Sequence, residues 1–230
     1  MVKTEASSQS ATQERLLTVA LKAFGSRDYD DVSTREIVQA AEANISAISY
    51  HFGGKRGLYL ATVTYLTEQL KTGMTNRLEE IRQTANDSPP ERSAGLICDF
   101  LLHFLEHILL GEMGQHAPGI IFREQNRPTE AYDILYEKLL APMHFTLASL
   151  IARYRKREPS DPEIIIMAHT MIGQTVIFRI GRTTLLRRLN QTAYNRATME
   201  ALKRQLRTYY LALLDASTDA TEMETRDHAE

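Results

Sequence analysis

In every segment long enough to judge, apolar residues return at intervals of three and four, and that period commits the chain to helices. Leu17, Ala20, Leu21 and Phe24 follow it, and Gly25 marks the stop. Leu96, Phe100, His103, His107 and Leu110 make one stripe, while Ile97, Leu101, Leu105 and Ile108 make a second. A helix with two apolar stripes is covered on more than one side. Met199, Leu202, Leu206, Tyr209 and Leu213 close the pattern near the end. No strand-like alternation of useful length interrupts it, and the prolines and glycines fall mostly at segment edges. The expected fold class is all-α.

With 230 residues, the chain is long enough for one good-sized core and a smaller module. No uninterrupted apolar run approaches the ~18 residues of a membrane span. The richest stretch, residues 164–180, carries His169, Gln174 and Arg179, and reads as a buried helix of a soluble protein. The polar first residues lack the apolar stretch of a secretory signal, and the single Cys98 has no partner for an internal disulfide. Both point to a cytoplasmic setting. A net charge of −2 argues against a surface that binds polyanions everywhere, but leaves room for a small DNA-reading face.

Start and stop signals divide the chain. Ser33-Thr34-Arg35-Glu36 reads as a capping box, and Asn44 as the cap of a short helix that Gly53-Gly54 ends. Ser88-Pro89-Pro90-Glu91 and Ser160-Asp161-Pro162-Glu163 are restarts. Pro128 opens a helix expected to kink at Pro142. The expected organisation is a DNA-binding module over residues 11–56, a larger domain of about nine helices over residues 57–214, and flexible tails at residues 1–10 and 215–230.

The first module has the proportions of a helix-turn-helix: a short capped helix, a tight break, then an eight-residue helix. In that motif the second helix lies in the major groove with its first residues at the base edges. Here those residues are Asn44, Ile45, Ser46 and Ala47. Ser33, Thr34 and Arg35 suit a phosphate, through amides, hydroxyls and a guanidinium fork. Tyr50, His51 and Lys55 offer further backbone grips at the far end of the reading helix.

Thr34-Arg35-Glu36-Ile37, followed by Ile48-Ser49-Tyr50-His51-Phe52-Gly53-Gly54-Lys55-Arg56-Gly57-Leu58, resembles the DNA-binding signature of the TetR/AcrR transcriptional regulators. Two positions depart from it: Ser49 stands where tyrosine is common, and Glu42 where the turn usually holds glycine. Beyond the module, Phe122-Arg123-Glu124-Gln125, Pro128 to Tyr132, Pro142-Met143-His144, His169 to Gly173 and Phe178 to Arg182 resemble the CecR-type branch. The resemblance implies a homodimeric repressor that binds a palindromic operator and is released by a small-molecule effector. It also implies control of drug-resistance or efflux genes. The expected DNA contacts are thus Ser33, Thr34, Arg35, Asn44, Ile45, Ser46, Ala47, Ser49, Tyr50, His51 and Lys55.

For the effector pocket, the residues singled out are Phe100, His103, Phe104, His107, Arg123, Tyr132, Tyr136, His144 and His169. A carboxylate such as Glu124 is expected opposite Arg123, because a buried guanidinium is costly without a partner. Residues 103–107 also spell H-x-x-E-H, a zinc-peptidase pattern. A metal-sensing repressor, or a zinc hydrolase using His103, Glu106 and His107, is therefore the competing reading. The leading one involves no catalytic residue, bound metal or cofactor. The last two apolar segments, about residues 161–181 and 195–214, are expected to pair with their copies across a twofold axis.

Overall fold

The computed structural model describes residues 2–86, 88–111 and 116–227, and among them every regular element is helical. In chain order these are α1 (Val2–Ser26), α2 (Thr34–Ala40), α3 (Ser46–Phe52), α4 (Lys55–Asn86), α5 (Ser93–Leu110) and α6 (Ala117–Asn126). Then come α7 (Glu130–Leu135), α8 (Ala141–Arg155), α9 (Pro162–Ile180), α10 (Arg182–Arg188) and α11 (Arg196–Asp227). Both expected tails continue as helical backbone where they are described, in α1 from Val2 and in α11 to Asp227. Met1 and residues 228–230 lie outside the described residues.

Pro142 does not leave a simple kink. The backbone between α7 and α8 widens into a π-helical turn, Tyr136–Leu140, immediately before the proline. Proline lacks an amide and crowds the preceding turn, and a π turn is one way a helix accommodates that loss. The restart signal at residues 160–163 holds: Asp161 Oδ1 accepts from the Glu163 amide at 3.0 Å to cap α9. Beside the start of α11, Asn195 Oδ1 accepts from the Thr198 amide at 2.9 Å, a cap that the sequence pattern did not single out.

The chain packs as two compact units that divide it differently from a cut at residue 56. The first joins residues 1–72 with residues 112–141. Its core is built from Leu16, Ala20, Leu21 and Phe24 of α1, Ile37, Val38 and Ile48 of α2 and α3, and Leu58, Val63 and Leu66 of α4. Ile120, Ala131 and Leu135 of α6 and α7 complete it. The start of α6 lies so close to the end of α1 that a Cβ on Gly119 would sit 1.9 Å from the Gly25 carbonyl oxygen.

The second unit joins residues 73–111 with residues 142–230. α5 supplies Ile97, Phe100, Leu101 and Leu105 to its core, against Leu147 and Ile151 of α8, Ala168 and Met171 of α9, and Leu206, Tyr210 and Leu214 of α11. The inward tyrosine of α11 is Tyr210, whose hydroxyl lies 2.7 Å from Thr175 Oγ, rather than Tyr209. A straight helix drifts against a strict 3-4 repeat, so the buried stripe moves over by one residue along α11.

By length and apolarity, residues 90–110 and α9 both match a membrane-crossing helix. For residues 90–110 the reason is α5, a central helix of this core. α9 is only part-covered: Ile165, Ile166, Ile177 and Ile180 are exposed, so the segment read as buried presents an open apolar face in the single chain.

Candidate nucleic-acid interface

The interface is assembled from the end of α1 to the start of α4. Ser33 adopts an extended backbone before α2, and its hydroxyl accepts from the Arg35 amide at 3.3 Å. The capping box closes only on this side. Glu36 instead pairs with Arg27 at 2.8 Å, tying α2 to the loop after α1.

α2 ends in a Schellman motif: the Ala43 amide donates to the Val38 carbonyl at 2.9 Å and the Glu42 amide to the Gln39 carbonyl at 3.2 Å. The residue between must be left-handed, and Glu42 has φ +49°. That explains why glycine is usual at this turn position. Left-handed backbone costs a side-chain-bearing residue ~1–2 kcal/mol, part of which glycine's extra unfolded-state freedom offsets. Glu42→Gly is therefore expected to stabilise the protein by about 0.5–1 kcal/mol, raising Tm by a few degrees in a thermal melt. A lowered Tm would contradict this account of the turn.

α3 is positioned by its cap and one main anchor. Asn44 Oδ1 accepts from the Ser46 amide at 3.1 Å and from the Ser46 hydroxyl at 3.0 Å, so the cap sits where the sequence placed it. Ile48 is the buried residue of α3, with Ala47 and Phe52 partly covered against the same core. Asn44, Ile45, Ser46, Ser49 and Tyr50 are all open to solvent to differing degrees, Tyr50 at 73%. The His51 ring stands edge-on to Tyr50, with centroids 4.9 Å apart. Most of one side of a short rod is thus open.

Around this rod, Arg35 is exposed and Ser33 and Thr34 are half-buried. Lys55 is engaged within the chain: its ammonium donates to the Asp30 carbonyl at 3.2 Å and lies 4.5 Å from the centre of the Tyr29 ring. That contact fixes the start of α4 against the loop after α1. It uses one of the three donors on the ammonium. The junction between α3 and α4 is tight. Gly53 turns left-handed at φ +72° as its amide donates to the Ser49 carbonyl, and Gly57 lies against the last carbonyl of α3.

The residues named for an effector pocket divide between the two units. In the first, Arg123 meets Asp28 rather than Glu124. Its guanidinium donates to Asp28 Oδ1 at 3.0 Å, to the Phe24 carbonyl at 3.0 Å and to the Arg27 carbonyl at 2.6 Å. It clamps the end of α1, where a cation also meets the negative pole of the helix. Glu124 is buried and accepts from Tyr59 and Thr129 instead. Tyr132 and Tyr136 stack with centroids 6.1 Å apart, and Tyr136 is exposed.

In the second unit, Phe100 and Phe104 are core. His103 and His107 are half-buried, and His107 Nε2 is buried with no hydrogen-bond partner among the described residues. Burial, and then the neighbouring His103, push the His107 imidazole below its ordinary pKa. Glu106, the would-be base of the zinc-peptidase pattern, is ion-paired with Lys203. No cluster of three or more potential metal ligands occurs among the described residues. His144 and His169 come together from α8 and α9, ring nitrogen to ring nitrogen at 3.3 Å. Cys98 is buried, and burial pushes its thiol up to about 11, so it packs as an inert small residue. Arg179 Nε is buried without a partner among the described residues.

Sequence reasoning missed two features of the fold. One is the return of α6 and α7 to the first unit, which no local pattern announces. The other is α10, a short polar helix after α9 whose signal was only the break at Gly181.

Comparison with known proteins adds the lineage. Residues 16–62 match the family model of bacterial regulatory proteins, tetR family, and residues 96–217 match the C-terminal domain of the HTH-type transcriptional dual regulator CecR. The chain is 31% identical to that regulator from Shigella flexneri over 193 residues, covering 83% of this chain and 85% of the relative. Its fold is similar to a TetR-family regulator from Mesorhizobium loti, with TM-score 0.61, 18% identity, and coverage of 90% of this chain and 97% of that one. A TetR-family regulator from Streptomyces coelicolor gives TM-score 0.57 at 18% identity, over 93% of this chain and 85% of that one. These relatives are named as transcriptional regulators. With a module for reading DNA at one end and a specific helical domain matched over the rest, the chain belongs to the TetR family of bacterial transcriptional regulators, in the branch of CecR.

Proposed function

We propose that the chain works in the cytoplasm as a homodimeric repressor that holds a palindromic operator until a small-molecule effector releases it. The observation carrying this reading is the openness of α3: Ile48 anchors it while Ile45, Ser46, Ser49 and Tyr50 stay open to solvent. A helix held from one side by a small core is suited to entering a major groove. Ser46 and Ala47 offer a hydroxyl and a methyl to base edges. Arg35, Tyr50 and the remaining donors of Lys55 serve phosphates. So few charges agree with the near-neutral chain and leave part of the specificity to DNA shape.

The open face of α9 supports the dimer. Ile166, Ile177 and Ile180 lie on one exposed face of α9, and Tyr209 of α11 is exposed as well, apolar side chains of the kind that obligate dimers bury, typically across ~2,000 Å² or more. Twofold symmetry then spaces two reading helices ~34–36 Å apart, one turn of DNA. His103 and His107, with Phe100 and Phe104 of the same helix, are the proposed lining of the effector site in the second unit, where His107 Nε2 has no hydrogen-bond partner among the described residues. On the family resemblance, efflux or drug-resistance genes are the proposed targets.

The test uses an operator recovered by this protein from a pool of random duplexes. Arg35→Ala with Tyr50→Ala, both at exposed positions, is expected to leave Tm and dimer mass unchanged and to weaken operator binding at least tenfold. The slope of log affinity against log salt should shrink by about one for each phosphate that the variant no longer neutralises. Recovered sites without dyad symmetry, or unchanged affinity in the double variant, would overturn the reading.

A further inference from the structure

We infer that Arg179 anchors a binding site for an organic anion, an apolar molecule carrying one carboxylate, in the unit that also holds His103 and His107. That this anion is the releasing effector rests on the repressor reading above. Arg179 stands in the last turn of α9. At ~100° per residue it leaves the helix within about 40° of Ala168, Ile172 and Thr175, all buried. It points about 100–160° away from the exposed Ile166, Ile177 and Ile180. A guanidinium is thus set on the core side of α9, not on the face offered to a second copy. Its Nε is buried with no hydrogen-bond partner among the described residues. A buried donor of this kind is rare in folded proteins and calls for an acceptor from elsewhere.

The neighbouring helices supply no such acceptor. The sequence holds no Asp or Glu between Glu163 and Glu200. The acids of α5, α9 and residues 196–215 of α11 are engaged with other groups: Asp99 with Arg207, Glu106 and Glu200 with Lys203, Glu163 with Arg157, and Asp215 with Tyr154. The last turn of α9 attracts a cation, but its carbonyls are taken too. Ile177 accepts from the Gly181 amide, and Phe178 from the Tyr194 hydroxyl. Burial, and then Arg182, push the Arg179 guanidinium below its ordinary pKa. Arg157, with a carboxylate partner, is pushed the other way.

The surroundings define the occupant. Arg182 donates to the Thr192 carbonyl at 3.2 Å and lies 5.8 Å from the centre of the Tyr194 ring. Tyr194 in turn donates to Phe178 at 2.6 Å, which pins the segment after α10 to the end of α9. A second cation is therefore held in place near the first, with donors to spare. The Nε–H of Arg179 and one N–H beside it form the fork that a planar carboxylate fills with two parallel bonds. Phe178 and Tyr194, partly buried against the core, suit an apolar body. A small, strongly hydrated anion would lose its water there without that contact in return.

The experiment is a calorimetric titration of the untagged full chain with benzoate, 4-phenylbutyrate and decanoate, each against its own primary amide. At least one acid is expected to saturate one site per chain, with its amide at least tenfold weaker. Arg179→Met, which keeps an unbranched apolar stem, should weaken that acid at least tenfold. Arg187→Met, at an exposed position of α10, should bind as the parent does. Thermal melts without ligand separate binding from structure: with no internal acceptor to lose, Arg179→Met is expected to melt at or above the parent temperature. In gel-shift titrations with an operator recovered by the parent, the acid should weaken the complex of the parent but not that of Arg179→Met. A lower melting temperature in Arg179→Met, equal binding of acid and amide, binding retained in that variant, or no saturable binding of any of the three acids would each overturn the inference. Acid binding that depends on Arg179 but leaves the operator complex intact would support the site and count instead against release by this anion.

Discussion

Gly57→Ala is expected to abolish operator binding and to lower the stability of the first unit by about 3 kcal/mol, the upper range for overpacking a well-filled site. A Cβ at this position would stand 1.7 Å from the Phe52 carbonyl oxygen and 2.9 Å from its carbon. Both neighbours are backbone, so no side chain can swing aside. The strain must open the junction between α3 and α4. α4 is fixed by Leu58 and Val63, both fully buried, whereas the main buried anchor of α3 is Ile48. The shorter helix therefore gives way, and it is the one proposed to read DNA. Gly95→Ala supplies the control of opposite sign. Gly95 lies within α5, and a Cβ there meets nothing within 4 Å. Ordinary helix propensity then applies, and that variant should gain about 0.5–1 kcal/mol. The pair is read by thermal melts and gel-shift titration. If Gly57→Ala also gains stability and binds the operator as the parent does, the close approach is not what the site requires.

The contrast between those two glycines shows what the sequence carries and what it withholds. Both sit in helical patterns, and only the approach of a carbonyl from the preceding helix separates them. Local signals were legible because their physics is local: Asn44 and Asp161 cap helices within two residues of themselves. The helix-turn-helix segment was legible for the same reason, with its start, turn and stop inside about twenty residues. Glu42 even announced its left-handed turn by standing where glycine is usual. Long-range assembly was not legible. Nothing near residues 117–135 says that they pack with residues 16–66, because an amphipathic helix displays an apolar face without naming its partner. For the same reason Arg123 found Asp28, 95 residues away, instead of the acid beside it, and Glu36 left the capping box for Arg27. Neighbours in a helix sequence point about 100° apart, so Arg123 and Glu124 were poorly placed to meet.

That divergence makes Glu124 the most consequential buried polar residue of the first unit, and Glu124→Leu is expected to destabilise it by about 3–5 kcal/mol. Its Oε1 accepts from the Tyr59 hydroxyl at 2.7 Å, while Oε2 accepts from both the amide and the hydroxyl of Thr129 at 2.9 Å. Thr129 in turn caps α7, its Oγ accepting from the Ala131 amide at 3.2 Å. One carboxylate on α6 thus fixes α4 and the start of α7, while Arg123 beside it holds the end of α1. Burial first, and then the bond to Glu124, raise the Tyr59 pKa far above its ordinary value, so the hydroxyl remains a donor throughout the working range. Leucine would fill a similar volume but leave the Tyr59 hydroxyl and the Thr129 amide without an acceptor. Each such loss costs ~1–3 kcal/mol. Glutamine keeps one carbonyl for Thr129 and turns its NH2 toward the Tyr59 oxygen, which can accept, so Glu124→Gln should cost less than half as much. Tyr59→Phe should cost less in the Glu124→Leu background than in the parent, because its hydroxyl has already lost its acceptor there. Urea unfolding of the four proteins measures that coupling, expected at about 1–3 kcal/mol. A coupling near zero, or Glu124→Leu melting within a degree of the parent, would mean that the apolar contacts of α6 alone hold the unit together.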